Sequence, residues 1–191
     1  MPRRVLVGLL VTLAACGSGG GSSGGNSSVP NASTTAVAGA AMQLASPAFA
    51  DGAAIPAQFT CDGANQSPPL TWTGVPPGTA GFALRVQDID TPAPFTHWLA
   101  YNIDPATRSL DAGQAPPGAT QVPNSFTKPG YGGPCPPRGS LHRYVFTLLA
   151  LRTRVTISDA QPTPVAAWST LERSGVVGRG ELTGTYRRPT S

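Results

Sequence analysis

The chain of 191 residues carries 13 basic against 9 acidic side chains, a formal net charge of +4, and two of the basic ones, Arg3 and Arg4, stand at the extreme N-terminus. With those two set aside the balance is about +2 and the remaining arginines are scattered, only Arg187 and Arg188 being adjacent, which excludes the clustered basic surface of a nucleic-acid binder. Most of the 23 glycines and 21 prolines fall after residue 41, and punctuation that dense excludes a helical bundle in favour of short strands and turns.

The chain opens with MPRR, a positive segment, and VLVGLLVTLAA, an apolar run too short to span a bilayer, so residues 1–15 read as an export signal. The run ends in Leu13-Ala14-Ala15-Cys16, which resembles the lipobox of bacterial lipoproteins and implies cleavage before Cys16 and lipidation of its thiol. Each buried CH2 contributes roughly 0.8 kcal/mol and one chain anchors weakly, so stable attachment needs several acyl chains on that cysteine. Gly17 rather than an aspartate follows, which by the same resemblance implies the outer membrane of a two-membrane envelope, the domain facing the periplasm. From Gly17 to residue 41 there is no charge, no aromatic and no period, the composition of a flexible tether behind Cys16. Residues 42–191 have the length of a single globular domain with a core of its own.

Within that domain the expected strands, in chain order, are IPAQFT (55–60), LTWTG (70–74), FALRVQD (82–88), HWLAYNID (97–104), HRYVFTLLAL (142–151) and ELTGTYR (181–187), each bounded by turn residues. PVAAWSTLERS predicts one helix from Pro164 to Ser174, with Val165, Trp168 and Leu171 as its apolar face and Gly175 as its stop. Strands in a row with one late helix suggest a mainly β fold, an antiparallel sandwich with one or two peripheral helices. Once Cys16 is lipidated, Cys61 and Cys135 are two thiols in an oxidising compartment, which predicts a disulfide between them.

The strand FALRVQD places Phe82, Leu84, Val86 and Asp88 on one face, so the Asp88 carboxylate stands at the mouth of the core. Asp90 falls on the same face, although taken alone the two aspartates of DIDTPAP read equally as turn initiators. The chain's two histidines, His97 and His142, both open strands, and His142 leads a row with Tyr144, Phe146 and Leu148. Each histidine alone reads as a packing residue; with Asp88, Asp90 and Tyr144 they form a set able to line one pocket.

The stretches FTCDGANQSPPLTWTGVPPGT, FALRVQDIDTP, HWLAYNI, GYGGPCPPRGSLHRYVFTLLAL and ELTGTYRR, in that order, resemble the phosphatidylethanolamine-binding protein family, in particular its bacterial Raf-kinase-inhibitor-like branch. The family's Asp-Pro-Asp-Ala-Pro reads Asp88-Ile89-Asp90-Thr91-Pro92 here, keeping both carboxylates and the last proline. The resemblance implies a β-sandwich with one small anion pocket lined by Asp88, Asp90, Pro92, His97, Pro136, Pro137, His142 and Tyr144, accepting a phosphorylated head group such as phosphorylethanolamine. Some family members inhibit kinases or serine proteases, so a protein partner is a further implication. Two carboxylates should repel a phosphate, which leads to the expectation that they raise the pKa of His97 or His142 until one is cationic. Gly132 and Gly133, with Cys135, are expected to add backbone N–H donors. No nucleophile elbow and no HExxH motif occur in the sequence, so neither catalysis, a cofactor nor a metal is expected. A protease-inhibitor or protein-interaction module, and less readily a hydrolase, remain the alternatives.

Overall fold

The computed structural model describes residues 41–191. The export signal, Cys16 and the tether up to residue 40 lie outside the described residues.

Eight strands and one α-helix follow in the order β1 (Gln43–Ala45), β2 (Leu70–Thr73), β3 (Gly81–Asp88), β4 (Phe95–Ile103), β5 (Ser109–Leu110), β6 (Thr120–Gln121), β7 (Leu141–Leu151), α1 (Pro164–Glu172) and β8 (Val176–Arg187). They form two antiparallel sheets, one of order β1-β2-β5 and one of order β6-β4-β3-β7-β8. The main core lies between them, where Leu44, Leu70, Trp72 and Leu110 of the smaller sheet meet Phe82, Leu84, Phe146 and Leu148 of the larger. Trp72 meets Phe82 edge-on across this space, with ring centroids 5.6 Å apart. The architecture is thus the expected sandwich, packed by the inward-facing alternate residues of both sheets.

The central strands β3, β4 and β7 are apolar on both faces because the far side of the larger sheet is covered too. Ala83, Leu99, Leu149 and Leu151 pack there against Ala167, Trp168 and Leu171 of α1. Thr163 caps the helix by accepting from the Ala166 N–H at 3.2 Å, and Pro164 fills its first turn at no cost in hydrogen bonds. Val165, expected on the apolar face, is exposed, and Ala167 takes its place. Steps of three residues turn back about 60° each, so Val165 has drifted off the face that Trp168 and Leu171 share.

The stretch 55–60, expected as a strand, is instead a short 3-10 turn at Ala57–Phe59, preceded by a lone parallel bridge between Ala54 and Thr185. Strand β8 begins five residues earlier than ELTGTYR indicated, because Gly178 and Gly180 are strand rather than turn residues here. Gly180 and Gly184 sit on the inner face of β8, opposite Leu148 and Tyr144. A Cβ on Gly180 would stand 3.1 Å from the backbone of Leu44, and one on Gly184 would collide with Ile55. These glycines let another segment lie flat on the strand.

Candidate functional site

Strands β3, β4 and β7 end together, and register decides which side chains meet there. Asp88 is paired with Tyr144 on β7 and with Phe95 on β4. Asp88 is only 3% exposed, and each carboxylate oxygen has a partner in the protein: Oδ1 accepts the Asp90 N–H at 2.9 Å and Oδ2 lies 2.7 Å from His142 Nδ1. His142 comes from the same face of β7, two residues before Tyr144, so period two alone carries it to the carboxylate.

His97 reaches the site by a different device. In β4, Trp98 is paired with Val86 and Thr96 with Gln87, leaving His97 as the extra residue of a β-bulge. Simple alternation would set His97 on the face opposite Trp98, toward the helix; the bulge re-aims it onto the face of Phe95 and Asp88. Its Nδ1 lies 2.6 Å from the Gly132 carbonyl, so Nδ1 carries the proton and Nε2 is left without a partner among the described residues. Burial lowers the His97 pKa below its ordinary value, outweighing the Gly132 carbonyl and the Asp88 charge that act the other way. The expectation of a raised pKa is therefore corrected for His97: it is held neutral, with Nε2 an acceptor.

Asp88, His97 and His142 form the polar side of a cleft of about 90 Å³. Pro136 and Pro137 wall it, and Thr91, Phe95, Phe126 and Cys135 complete it. Pro136 and Pro137 follow Cys135, whose disulfide to Cys61, Cα atoms 5.4 Å apart, ties this loop to the segment after the 3-10 turn. Among the described residues no three His, Cys, Asp or Glu side chains stand close enough to hold a metal ion.

Several expected members stand elsewhere. Asp90 does not line the cleft: it turns back onto Arg143, taking the Arg143 N–H at 2.7 Å and the guanidinium Nε at 3.0 Å. Pro92 is replaced in the lining by its neighbour Thr91. Gly132 and Gly133 line an adjoining groove instead, and their N–H groups are committed, to the His97 carbonyl at 2.9 Å and to Asn65 Oδ1 at 2.7 Å. They are bare because the protein packs on them, a Cβ on Gly132 standing 2.7 Å from the Phe126 ring and one on Gly133 2.7 Å from the Phe59 carbonyl. Tyr144 is fully buried beside the cleft, its ring edge-on to His97 at 5.2 Å, and its hydroxyl meets no hydrogen-bond partner among the described residues. Burial, then the neighbouring Asp88 charge, drives its pKa far above the ordinary phenol value. Sequence reasoning missed Phe126, which lies in a loop with no period to single it out; Phe95, just ahead of His97, was within reach of the strand pattern.

The withdrawal of Asp90 removes much of the repulsion that two carboxylates would offer an anion. Hydrogen bonds from Arg143 hold its carboxyl at about 2, below the ordinary value of 3.8. A depressed pKa contributes stability that is present above the unfolded value and is lost as pH falls toward the folded one. The urea midpoint is therefore expected to decline between about pH 4 and pH 2, with part of that decline absent in Asp90→Asn. Superimposable acid limbs in the two proteins would show that the clamp contributes nothing.

A model of the phosphatidylethanolamine-binding protein family matches residues 45–187. A Mycobacterium tuberculosis protein named as a candidate lipoprotein, LppC, is 41% identical over 186 residues, covering 93% of this chain and 91% of the relative. A Methanothermobacter thermautotrophicus protein of the UPF0098 group is 43% identical over 155 residues, 77% of this chain and 99% of the relative. Among solved structures, Escherichia coli YbcL, described as a member of the mammalian family, aligns with a TM-score of 0.72 and 32% identity over 78% of this chain and 99% of its own. A Chlamydia trachomatis homologue of the same family aligns at 0.70 with 33% identity, over 78% of this chain and 98% of that one.

Proposed function

Because the chain belongs to the phosphatidylethanolamine-binding protein family, we propose that it is a non-catalytic binding module of the cell envelope, capturing a small phosphorylated head group of the phosphorylethanolamine kind. The observation that carries this reading is the pairing of the Asp88–His142 couple with a neutral His97 across a cleft of about 90 Å³. Ligand clefts for larger molecules run to roughly 300–1,000 Å³, so this one suits a single compact group. The Pro136 and Pro137 wall makes that shape rigid, which keeps the ordering cost of binding low.

The ring nitrogens set the protonation state of the guest. With Nδ1 held by Asp88, His142 presents its other ring nitrogen to the guest phosphate, while His97 offers Nε2 as an acceptor to a P–OH. The preferred guest is a phosphate monoester carrying one proton, whose second ionisation lies near pH 6. The buried Tyr144 hydroxyl, unpartnered beside the cleft, is a further donor for a guest that shifts its ring slightly.

Envelope attachment through a lipidated Cys16 draws support from the leader motif and from the naming of the LppC relative as a candidate lipoprotein. Outer-membrane placement rests on Gly17. A protein partner recruited by the loaded or empty cleft is compatible with the same site.

Calorimetric titration with phosphorylethanolamine tests the reading. Affinity is expected to rise as pH falls from about 8 to about 6, because the phosphate form whose P–OH His97 Nε2 accepts becomes more populated toward its second ionisation near pH 6. Binding that is absent, or flat across that interval, would refute the proposed arrangement.

A further inference from the structure

Strand β6 forms one edge of the larger sheet, and beside it lies a pit of about 290 Å³ that shares no residue with the small cleft. Trp98 and Tyr131 give the pit an aromatic side, their rings edge-on at 5.8 Å, and among the described residues no charged side chain lines it. Most of its polar wall is carboxamide, from Asn65, Gln66, Gln114 and Gln121.

Three of these amides are held in one orientation. Asn65 Oδ1 accepts the Gly133 N–H at 2.7 Å, Gln114 Oε1 the Asp111 N–H at 2.8 Å and Gln121 Oε1 the Trp98 Nε1–H at 2.8 Å. A donor selects the oxygen end of a carboxamide, so the NH2 end of each is the one that remains to bind. Gln66, which lies over Gly113, adds an amide that both gives and accepts. The frame is pinned as well: the Gly113 N–H is shared between the Ser67 carbonyl at 3.0 Å and Ser67 Oγ at 3.2 Å, strapping the loop of Gln114 to the segment of Asn65 and Gln66. Donors fixed in advance need little further ordering when a ligand arrives.

The matching guest carries no net charge, presents acceptors at several points of its rim and has an apolar face for the aromatic side. An anion would meet no cation here. A peptide strand places its acceptors in a row against a sheet edge, whereas these donors are side chains from three separate segments set around a pit. The volume stands near the lower end of the roughly 300–1,000 Å³ of small-molecule sites, which suits a guest built on a single ring.

We propose that this pit binds a neutral saccharide, best one bearing an acetamido group, with its carbonyl on the amide NH2 groups and a C–H face of the ring against Tyr131. The site is independent of the small cleft and goes beyond the phosphate reading, since neither space depends on the other being filled.

Titration of N-acetylglucosamine into the isotope-labelled full chain, followed by NMR, tests the assignment. The Trp98 indole N–H and the side-chain NH2 resonances of Asn65, Gln114 and Gln121 are expected to shift together and saturate, and glucose to bind about fivefold more weakly for want of one net hydrogen bond. Gln114→Glu keeps an oxygen for the Asp111 N–H but puts a second oxygen where the NH2 stood, so affinity for N-acetylglucosamine is expected to fall about tenfold. Ala115→Trp, on the exposed rim, fills the pit and is expected to abolish binding, with the melting temperature of both variants close to that of wild type. Resonances that stay in place at high sugar concentration, or an affinity untouched by both variants, would overturn the site. N-acetylalanine methylamide or sulfate binding there at least as tightly as the sugar would overturn the saccharide class, the first in favour of a peptide and the second in favour of an anion.

Discussion

Replacing Cys61 and Cys135 together by serine is expected to lower the melting temperature by about 10 °C, the largest stability effect of any change outside the core. The bond closes a segment of 74 residues, and in the chain-entropy account a loop of that length contributes about 4 kcal/mol by restricting the unfolded chain. At roughly 2–4 °C per kcal/mol for a domain of this size, the shift follows. The Cys61 N–H donates to the Pro134 carbonyl at 3.0 Å, so the loop is held at the same place by a backbone bond and the serine variant retains a native topology to melt from. Reductant added to wild type should reproduce most of the shift and leave the double serine variant unaffected. A melting temperature indifferent to reductant would show that the crosslink holds nothing the packing does not already hold. Because Cys135 lines the cleft and is followed directly by Pro136 and Pro137, phosphorylethanolamine affinity should weaken along with stability.

His142→Ala is expected to weaken phosphorylethanolamine binding about 10- to 100-fold, the range of one charge-assisted hydrogen bond of roughly 1.5–3 kcal/mol. It removes the ring that lines the cleft and bonds the Asp88 carboxylate, and among the described residues it leaves Asp88 buried with the Asp90 N–H as its hydrogen-bond donor. Some loss of stability is therefore part of the same prediction, and affinity has to be measured well below the variant's own melting temperature. Asp90→Asn is the informative comparison, since Asp90 faces Arg143 rather than the cleft. If affinity for phosphorylethanolamine fell as far in Asp90→Asn as in His142→Ala, the division of the two carboxylates into a cleft residue and an outward clamp would be wrong.

That division was not readable from DIDTP. Period two puts Asp88 and Asp90 on one face, and only the continuation of β7 beside them supplies an arginine able to draw Asp90 away. His97 is the reverse case: alternation in HWLAYNI points it toward the helix side, and the bulge between Thr96 and Trp98 returns it to the cleft. The glycines illustrate a third kind of miss. In GYGG they suggested bare backbone awaiting a ligand, whereas Gly132 and Gly133 are bare because Phe126 and the Phe59 carbonyl press on them.

What the sequence determined by itself is everything that local chemistry encodes: the alternation of β3 and β7, the single capped helix, the two cysteines available to pair, and the gathering of Asp88 and His142 at the ends of apolar rows. Side-chain period and turn propensity act over a few residues, so they survive in a linear reading. The tertiary structure alone decided which carboxylate faces the cleft, that His97 is buried with its Nδ1 on the Gly132 carbonyl, and that Phe126 stands between a small polar space and a larger apolar one. Those outcomes depend on inter-strand register and on contacts between segments far apart in the chain. A shift of one residue in register changes the face of every side chain beyond it, and no local pattern records that choice.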